Sequence, residues 1–299
     1  MLPSFKLLDM MKQKNPHSVT KAHPKTLIAI TTFNHCDYTR LCLDSLIGST
    51  QNVKVFDDCS TDGTRVLCQE YGIPFVSNHR PRGLTSLWNL AFSDFVEGGY
   101  DNLVITNNDI LFPQAGIDQL EHDLELHPYV GILTREDDSP LAEHQAIEHY
   151  TDLSKDEVNQ PNKLQEVQDK LVALDLPPVS IKWIYGFCFG LSRKVIPYAY
   201  SHNTLVDQRL INTRQEQYLC KKIPSKMLCR RVFAYHFKGV SCGPFPISWR
   251  KDFRDDLHRY HKTGVSLRLR IRIFRNRVAR NLDYYLRKIK ITLFPSRNR

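Results

Sequence analysis

Short apolar runs alternate with segments of helical periodicity along the first half of the chain. The runs predict buried strands, and the segments between them, where apolar residues recur every three or four positions, predict helices. The predicted strands cover 26–31, 53–56, 74–77, 102–106 and 129–134, and the predicted helices cover 38–47, 65–71, 84–95 and 117–126. Strands that alternate with helices in this way indicate parallel βαβ units, and therefore an α/β fold.

The second half of the chain is less regular. Residues 136–180 are polar and indicate an insertion over the active-site side of the domain, with a helix near 161–174. Residues 181–192 return to an apolar, glycine-containing core segment. We expect a helix at the end of 204–222 and a strand over 226–235.

Charge divides the chain into three parts, which we take as an N-terminal tail (1–24), an α/β domain (25–245) and a basic extension (246–299). Residues 249–299 hold 16 Lys and Arg against four Asp, whereas the whole chain carries a net charge of +9. The basic character therefore belongs to the extension and not to the domain.

Apolar residues recur in the extension at spacings of three and four, which predicts a basic amphipathic helix, although 265–273 also alternates like a strand. A basic helix over 265–293 would suit an anionic membrane surface. The alternatives are a polyanionic partner, or a solvated helix packed on the domain. Because the extension holds no recognised nucleic-acid-reading motif, we expect no nucleic-acid partner.

The compartment is inferred from what the sequence lacks. The first 24 residues mix lysines with polar residues and contain no apolar stretch of a secretory signal, and no run of 18 apolar residues occurs in the chain. The eight cysteines include no CxxC pair, which argues against a structural zinc site and favours free thiols. We expect a cytoplasmic protein, peripheral on the inner face of a membrane if the extension binds there.

Polar clusters follow three of the predicted strands. Thr31-Thr32-Phe33-Asn34 ends the first, Asp57-Asp58 the second and Asn107-Asn108-Asp109 the fourth. Parallel sheets bind their ligands outside the carboxyl ends of the strands, so these clusters should share one site. Carboxylates at such a site suit a divalent cation that neutralises phosphate.

These segments resemble glycosyltransferase family 2, an inverting family with the GT-A fold. The most specific part is the Asp-Asp-Cys-Ser-Thr-Asp-Gly-Thr segment (57–64), with a strand ending in Asn-Asn-Asp about fifty residues later. The resemblance runs over 25–243 and implies a Rossmann-like, mostly parallel sheet flanked by helices. It also implies a hexosyltransferase that moves a sugar from a nucleotide-sugar to an acceptor hydroxyl.

The resemblance implies a donor site and a metal site. The implied donor-binding residues are Thr31, Phe33, Asp57, Asp58, Arg82, Asn107, Asn108 and Lys238. The first four would contact the nucleotide base and Asn107 would contact the ribose. The side chains of Arg82 and Lys238 would contact the phosphates. Asp109 would bind Mn²⁺ or Mg²⁺ in a variant of the family's DxD motif, with His236 as a second metal ligand or as a phosphate ligand. The alternatives are loop, turn and cap residues, which use the same residue types.

A second segment, 214–220, resembles the region that carries the catalytic base in the family. Glu216 falls on the base position, with Glu in place of Asp, and Gln215 replaces the preceding Glu. On the acceptor side, Trp183 would stack on a sugar and Gly186 would let substrate approach closely. An exposed helical Glu and a core strand are the structural alternatives.

The implied partners are a UDP- or dTDP-sugar as donor and a glycan or lipid-linked acceptor, in surface polysaccharide assembly. Two departures from the family pattern, Asn107 and Gln215, each remove a carboxylate. They keep open a second hypothesis, a non-catalytic protein of the same fold that binds a nucleotide or a glycan.

Overall fold

The structure is a computed structural model that describes residues 26–46, 52–135 and 143–238. The strands are β1 (Thr26–Thr32), β2 (Val53–Asp57), β3 (Phe75–Ser77), β4 (Asn102–Asn107), β5 (Ile110–Leu111), β6 (Tyr129–Leu133), β7 (Val179–Ser180), β8 (Cys188–Ser192), β9 (Met227–Phe233) and β10 (Tyr235–His236). The helices are α1 (Cys36–Leu46), α2 (Thr64–Glu70), α3 (Leu84–Glu97), α4 (Gly116–Leu126), α5 (Lys155–Val158), α6 (Leu164–Leu174) and α7 (Gln215–Lys222). All five strands and four helices predicted in the first half are present.

Eight strands form one sheet in the order β3-β2-β1-β4-β8-β6-β9-β7. The pairings make β8 and β7 antiparallel to their neighbours, while the other six strands run in one direction. The prediction of a mostly parallel α/β sheet is thus confirmed. Strands β5 and β10 form a separate antiparallel pair. We did not predict β5 or β7 because two residues are too few to show a period.

Alternation along the strands sends side chains to two helical layers. Leu27 and Ala29 of β1 join a buried cluster with α3 and α7, in which Trp88 is fully buried. Ile28 and Ile30 point to the opposite face, where α1, α2 and α4 cover the sheet. A strand buried on both faces reads as a continuous apolar run, which is why β1 was recognisable from sequence.

The insertion forms a third core cluster on β9 over its described part, 143–180. Helix α6 lies where a helix was expected, and it packs Leu164, Val167 and Leu171 with side chains of β6 and β9. The buried Gln168 ties it to the sheet, because its Nε2 donates to the Arg231 carbonyl at 2.7 Å. Its placement on the acceptor side stays a prediction.

Within the described residues, no helix is long and apolar enough to cross a membrane. The N-terminal tail and the basic extension lie outside those residues, so the membrane surface over 265–293 and the choice between helix and strand there stay predictions.

Candidate active site

The three polar clusters end up side by side at the carboxyl edge of the sheet. Strand β1 pairs with both of its neighbours in parallel register, with Thr32 opposite Asp57 on β2 and Thr31 opposite Asn107 on β4. The shared edge expected from the sequence is therefore present. The side chains at this edge differ in how many of their polar atoms form hydrogen bonds with other protein groups.

Asp57 is buried and bonded to protein on both oxygens. One oxygen accepts from the Ser60 hydroxyl, and the other accepts from the Ser60 N–H at 2.9 Å and the Ser77 hydroxyl at 2.7 Å. The Ser60 hydroxyl in turn accepts from the Asn34 N–H at 2.6 Å. Asp57 thereby holds the loop after β2 against β3 and the loop after β1.

Asp58 organises the loop that leads into α3. Its carboxylate accepts from Asn78 Nδ2 at 2.8 Å and from the N–H groups of Arg82 at 2.7 Å and Gly83 at 2.8 Å. Gly83 has a φ of +86°, and a Cβ there would meet Asn212 Oδ1 at 2.5 Å, so the loop needs glycine at this point. The Arg82 side chain is exposed. Donor-base and phosphate roles for these residues stay predictions.

Asn108 links β1, the loop after it and α1, whereas Thr31 links β1 to β4. Asn108 Nδ2 lies within hydrogen-bond distance of Thr32 Oγ1 at 3.0 Å, Thr39 Oγ1 at 2.9 Å and the Asn34 carbonyl at 3.1 Å. Thr31 Oγ1 donates to the Thr106 carbonyl of β4 at 3.0 Å. These side chains brace the site from inside.

Two neighbouring side chains are accessible at the same edge. Phe33 is 37% exposed, directly after β1. Asn107 is half-buried at the end of β4, and no hydrogen bond joins its side-chain amide to another residue of the described part of the chain. Both therefore remain suited to contact a ligand, as the donor hypothesis requires.

Asp109 and His236 form a buried pair. His236 Nε2 lies 3.3 Å from Asp109 Oδ1, and both residues are under a tenth exposed. They meet because β5 begins directly after Asp109 and pairs with β10, which ends at His236. The imidazole stacks on Phe187 with ring centroids 5.3 Å apart.

The pair leaves two buried atoms without hydrogen bonds in the described part of the chain, Asp109 Oδ1 and His236 Nδ1. Buried polar atoms are normally bonded, so such atoms call for a partner. A carboxylate and an imidazole fit a divalent cation such as Mn²⁺. No group of three or more His, Cys, Asp or Glu side chains suited to a metal gathers among residues 26–46, 52–135 and 143–238. A cation here would draw its other ligands from phosphate and water.

Arg135 fixes the loop that carries His236, a role that we did not predict from sequence. Its Nε donates to the His236 carbonyl at 3.3 Å, its Nη1 donates to Asn159 Oδ1 at 2.7 Å, and its guanidinium lies over the Tyr235 ring at 5.0 Å. Lys238 Nζ donates to the Arg135 carbonyl at 2.6 Å. A lone Arg before a polar stretch carries no sequence signal for such a role.

Glu216 lies in the first turn of α7 and is half-buried. Its side chain contacts Gly186, and the next residue, Phe187, accepts through its carbonyl a hydrogen bond from the Asn107 N–H at 2.8 Å. The candidate base therefore lies beside the segment that borders the end of β4. Burial raises the pKa of Glu216 above its usual 4.5, although its own N–H and the Arg214 charge oppose the shift.

Trp183 lies farther from this edge. It lines a cavity of about 410 Å³ together with Cys220, Pro224 and Lys226. Lys226 directly precedes β9, so this cavity lies toward the amino end of the parallel strands and away from Asp109. Sugar stacking on Trp183 stays a prediction.

The comparisons with known proteins agree with this arrangement. The family model for Glycosyl transferase family 2 matches residues 27–197. No curated protein matches the chain. Among solved structures, GalNAc-T7 with UDP, GalNAc and Mn²⁺ is similar at 11% identity and a TM-score of 0.50, over 73% of this chain and 44% of that one. This likeness shows a shared GT-A fold.

Two further structures match at lower TM-scores. TarS 1-349 of S. aureus in complex with UDP-GlcNAc matches at 11% identity and a TM-score of 0.46, over 77% of this chain and 64% of that one. Glucosyl-3-phosphoglycerate synthase from Mycobacterium tuberculosis, in complex with Mn²⁺ and UDP-glucose, matches at 16% identity and a TM-score of 0.36. The match covers 66% of this chain and 64% of that one. The chain thus spans about half to two thirds of the length of these proteins.

Proposed function

This chain belongs to glycosyltransferase family 2, and from that premise we propose that it moves a hexose from a nucleotide-sugar to a hydroxyl of a glycan or lipid-linked acceptor, with inversion. The observation that supports this proposal best is the convergence of two features on one sheet edge. One is the Asp109–His236 pair with its unsatisfied buried atoms, and the other is the separate half-buried carboxylate of Glu216.

In the proposed reaction Glu216 takes the proton of the acceptor hydroxyl. The acceptor oxygen forms a bond to the anomeric carbon while the bond from that carbon to the diphosphate oxygen breaks, and the electron pair leaves with the nucleotide. One displacement inverts the anomeric centre. A carboxylate whose pKa is raised by burial is a stronger base than an exposed one, which suits it to general-base catalysis.

The leaving diphosphate needs its charge neutralised. Asp109 and His236 would hold Mn²⁺ or Mg²⁺, which when bound supplies that neutralisation. The Phe187 ring and the Arg135 side chain keep His236 in place, so the pair is organised before the donor binds. UDP and Mn²⁺ in the GalNAc-T7 structure favour a UDP-sugar, with a dTDP-sugar as the second choice.

A thermal-shift panel of UDP, dTDP, GDP and CMP, each with and without Mn²⁺, tests the donor site. A ligand at ~100 times its dissociation constant stabilises the fold by about 2.7 kcal/mol. We expect one nucleotide to stabilise the protein in the presence of metal only. If no nucleotide changes the melting temperature under either condition, the donor-site proposal is wrong.

A non-catalytic protein of the same fold is the second candidate, because Asn107 and Gln215 replace family carboxylates. Gln215 is fully buried, and its Nε2 donates to Thr85 Oγ1 at 2.8 Å and to the Ile211 carbonyl at 3.2 Å. A carboxylate could not donate these bonds, so this replacement has a structural reason. Absence of transfer from every donor that binds would favour the second candidate.

The basic extension supports a location at the cytoplasmic face of an anionic membrane, as part of polysaccharide assembly. Co-sedimentation with phosphatidylglycerol vesicles tests it, with phosphatidylcholine vesicles as the neutral control. Binding to the anionic vesicles that weakens at high salt is the expected result. Equal recovery with both vesicle types would contradict the proposal.

A further inference from the structure

The Glu216 side chain occupies the space that a side chain at Gly186 would fill. A Cβ built on Gly186 would lie 2.7 Å from Glu216 Oε1, 2.8 Å from Cγ and 3.0 Å from Cδ. Cβ atoms in proteins essentially never approach other heavy atoms within 3.0 Å. The three atoms nearest to a Cβ on Gly186 thus all belong to the side chain of Glu216, the candidate base.

Nothing in the backbone of Gly186 explains its need for glycine. Its φ lies outside the left-handed region, unlike that of Gly83, so an L-residue could adopt its conformation. The closest atoms that a side chain at this position would meet belong to Glu216. The sequence suggested that Gly186 leaves room for substrate, but in the structure a carboxyl group takes that room.

We propose that Gly186 is a positioning residue, whose missing side chain lets the Glu216 carboxyl lie against the 186–187 segment that borders the end of β4. The inference rests on the proposed function of Glu216 as the base. A methyl at Gly186 would push the carboxyl away while the backbone stays, because the obstructing atoms, Cγ, Cδ and Oε1, all belong to one flexible side chain. The ionisable groups close to Glu216 are Arg214, whose charge lowers the pKa of Glu216, and Tyr129 and Cys220, whose own pKa values Glu216 raises.

The kinetic test is a double-mutant cycle of Gly186→Ala and Glu216→Gln. We expect G186A to lower kcat by roughly 10- to 100-fold, a fraction of what a general base supplies, with donor KM almost unchanged. In the E216Q background the same change should have no further effect, because its target is gone. An equal further loss in that background would show that Gly186 acts on substrate instead, and would overturn the inference.

A second readout does not depend on activity. The pKa of Glu216 can be followed by carbon-13 NMR of labelled carboxyl groups, with E216Q to assign the signal. We expect G186A to lower this pKa toward the usual value, because the displaced carboxyl gains solvent, and an unchanged pKa would contradict the inference. If E216Q transfers sugar at the same rate as the parent, Glu216 is not the base. The titration of Glu216 in G186A still tests whether Gly186 sets the position of the carboxyl group.

Gly190→Ala is the matched control. A Cβ there would lie 2.6 Å from Leu124 Cδ1, so it also crowds a flexible side chain, but one in the core. We expect it to lower stability and to leave the pKa of Glu216 unchanged. A shift of that pKa in G190A as large as in G186A would show a general effect of crowding and would defeat the proposal.

Discussion

The two acidic segments at the carboxyl edge of the sheet differ in what their carboxylates bind. After β2, Asp57 and Asp58 each accept three hydrogen bonds, from the loops after β2 and β3 and from Ser77 of β3. After β4, the buried Asp109 Oδ1 lies 3.3 Å from His236 Nε2 but accepts no hydrogen bond within the described part of the chain. The first segment therefore shapes the loops, whereas we propose that the second binds a ligand.

This difference has an energetic basis. A buried carboxylate costs several kcal/mol unless partners replace its water. The loops after β2 and β3, together with Ser77 at the end of β3, supply such partners to the first segment. The second segment lacks them among the described residues, so a cation would be the partner that compensates its burial. The variants below test this division, from the largest expected effect to the smallest.

Replacing Glu216 by Gln should lower kcat by roughly 10²- to 10⁴-fold, because the amide cannot accept the acceptor proton. The measurement is steady-state transfer with the donor that the thermal-shift panel identifies. Glu125→Gln, at an exposed position of α4, is the matched control and should leave kcat unchanged. Parent-like activity in E216Q would remove Glu216 from the mechanism.

Replacing Asp109 by Asn should remove the metal-dependent part of nucleotide binding. We expect loss of the stabilisation of about 2.7 kcal/mol that saturating nucleotide gives in Mn²⁺, because a neutral amide binds the cation poorly. Without ligand, the free energy of unfolding should change little. Isothermal titration of Mn²⁺ in the presence of UDP measures the effect, and undiminished Mn²⁺ binding would rule out Asp109 as a ligand.

Replacing Asp58 by Asn should lower the stability of the fold rather than nucleotide binding. The amide would place an N–H₂ against the N–H of Gly83 or Arg82, and we expect a loss of roughly 2 kcal/mol in the free energy of unfolding. Urea denaturation of D58N and D109N side by side gives the measurement. If D109N proves the less stable of the two, the division between shaping and ligand-binding carboxylates is wrong.

Glu216 of α7 and Asp62 of the loop after β2 should respond oppositely to pH. The raised pKa of Glu216 means that its stabilising effect is full below the usual value of 4.5 and is lost as pH rises through the folded-state pKa. E216Q should therefore gain stability relative to the parent on going from pH 4 to neutrality.

Asp62, in the first region, gives the opposite sign. Burial raises its pKa, but hydrogen bonds from Thr64 and Cys36 outweigh burial and leave the pKa below its usual 3.8. Its stabilisation is present above that value and is lost as pH falls through the folded-state pKa. Urea denaturation of E216Q from pH 4 to neutrality, and of D62N below pH 4, should give difference curves of opposite slope, and slopes of the same sign would contradict the assignment.

Much of the architecture was predictable because it rests on local periods. Strand β1 was evident from its continuous apolar run, and α3 from its repeat of apolar residues. Strand β8 is shorter than the apolar run 181–192, because only 188–192 pairs with β4 and β6. Its insertion between them could not be predicted, since pairing depends on residues distant in the chain.

The sequence by itself determined the order of strands and helices, the family and the polar clusters at the sheet edge, because each depends on neighbouring residues. Only the tertiary structure decided which carboxylates form hydrogen bonds with other protein groups. It joins β5 to β10, which brings His236 to Asp109, and it lays Glu216 on Gly186. Such contacts depend on the distances between atoms that folding brings together, and composition and spacing carry no record of them.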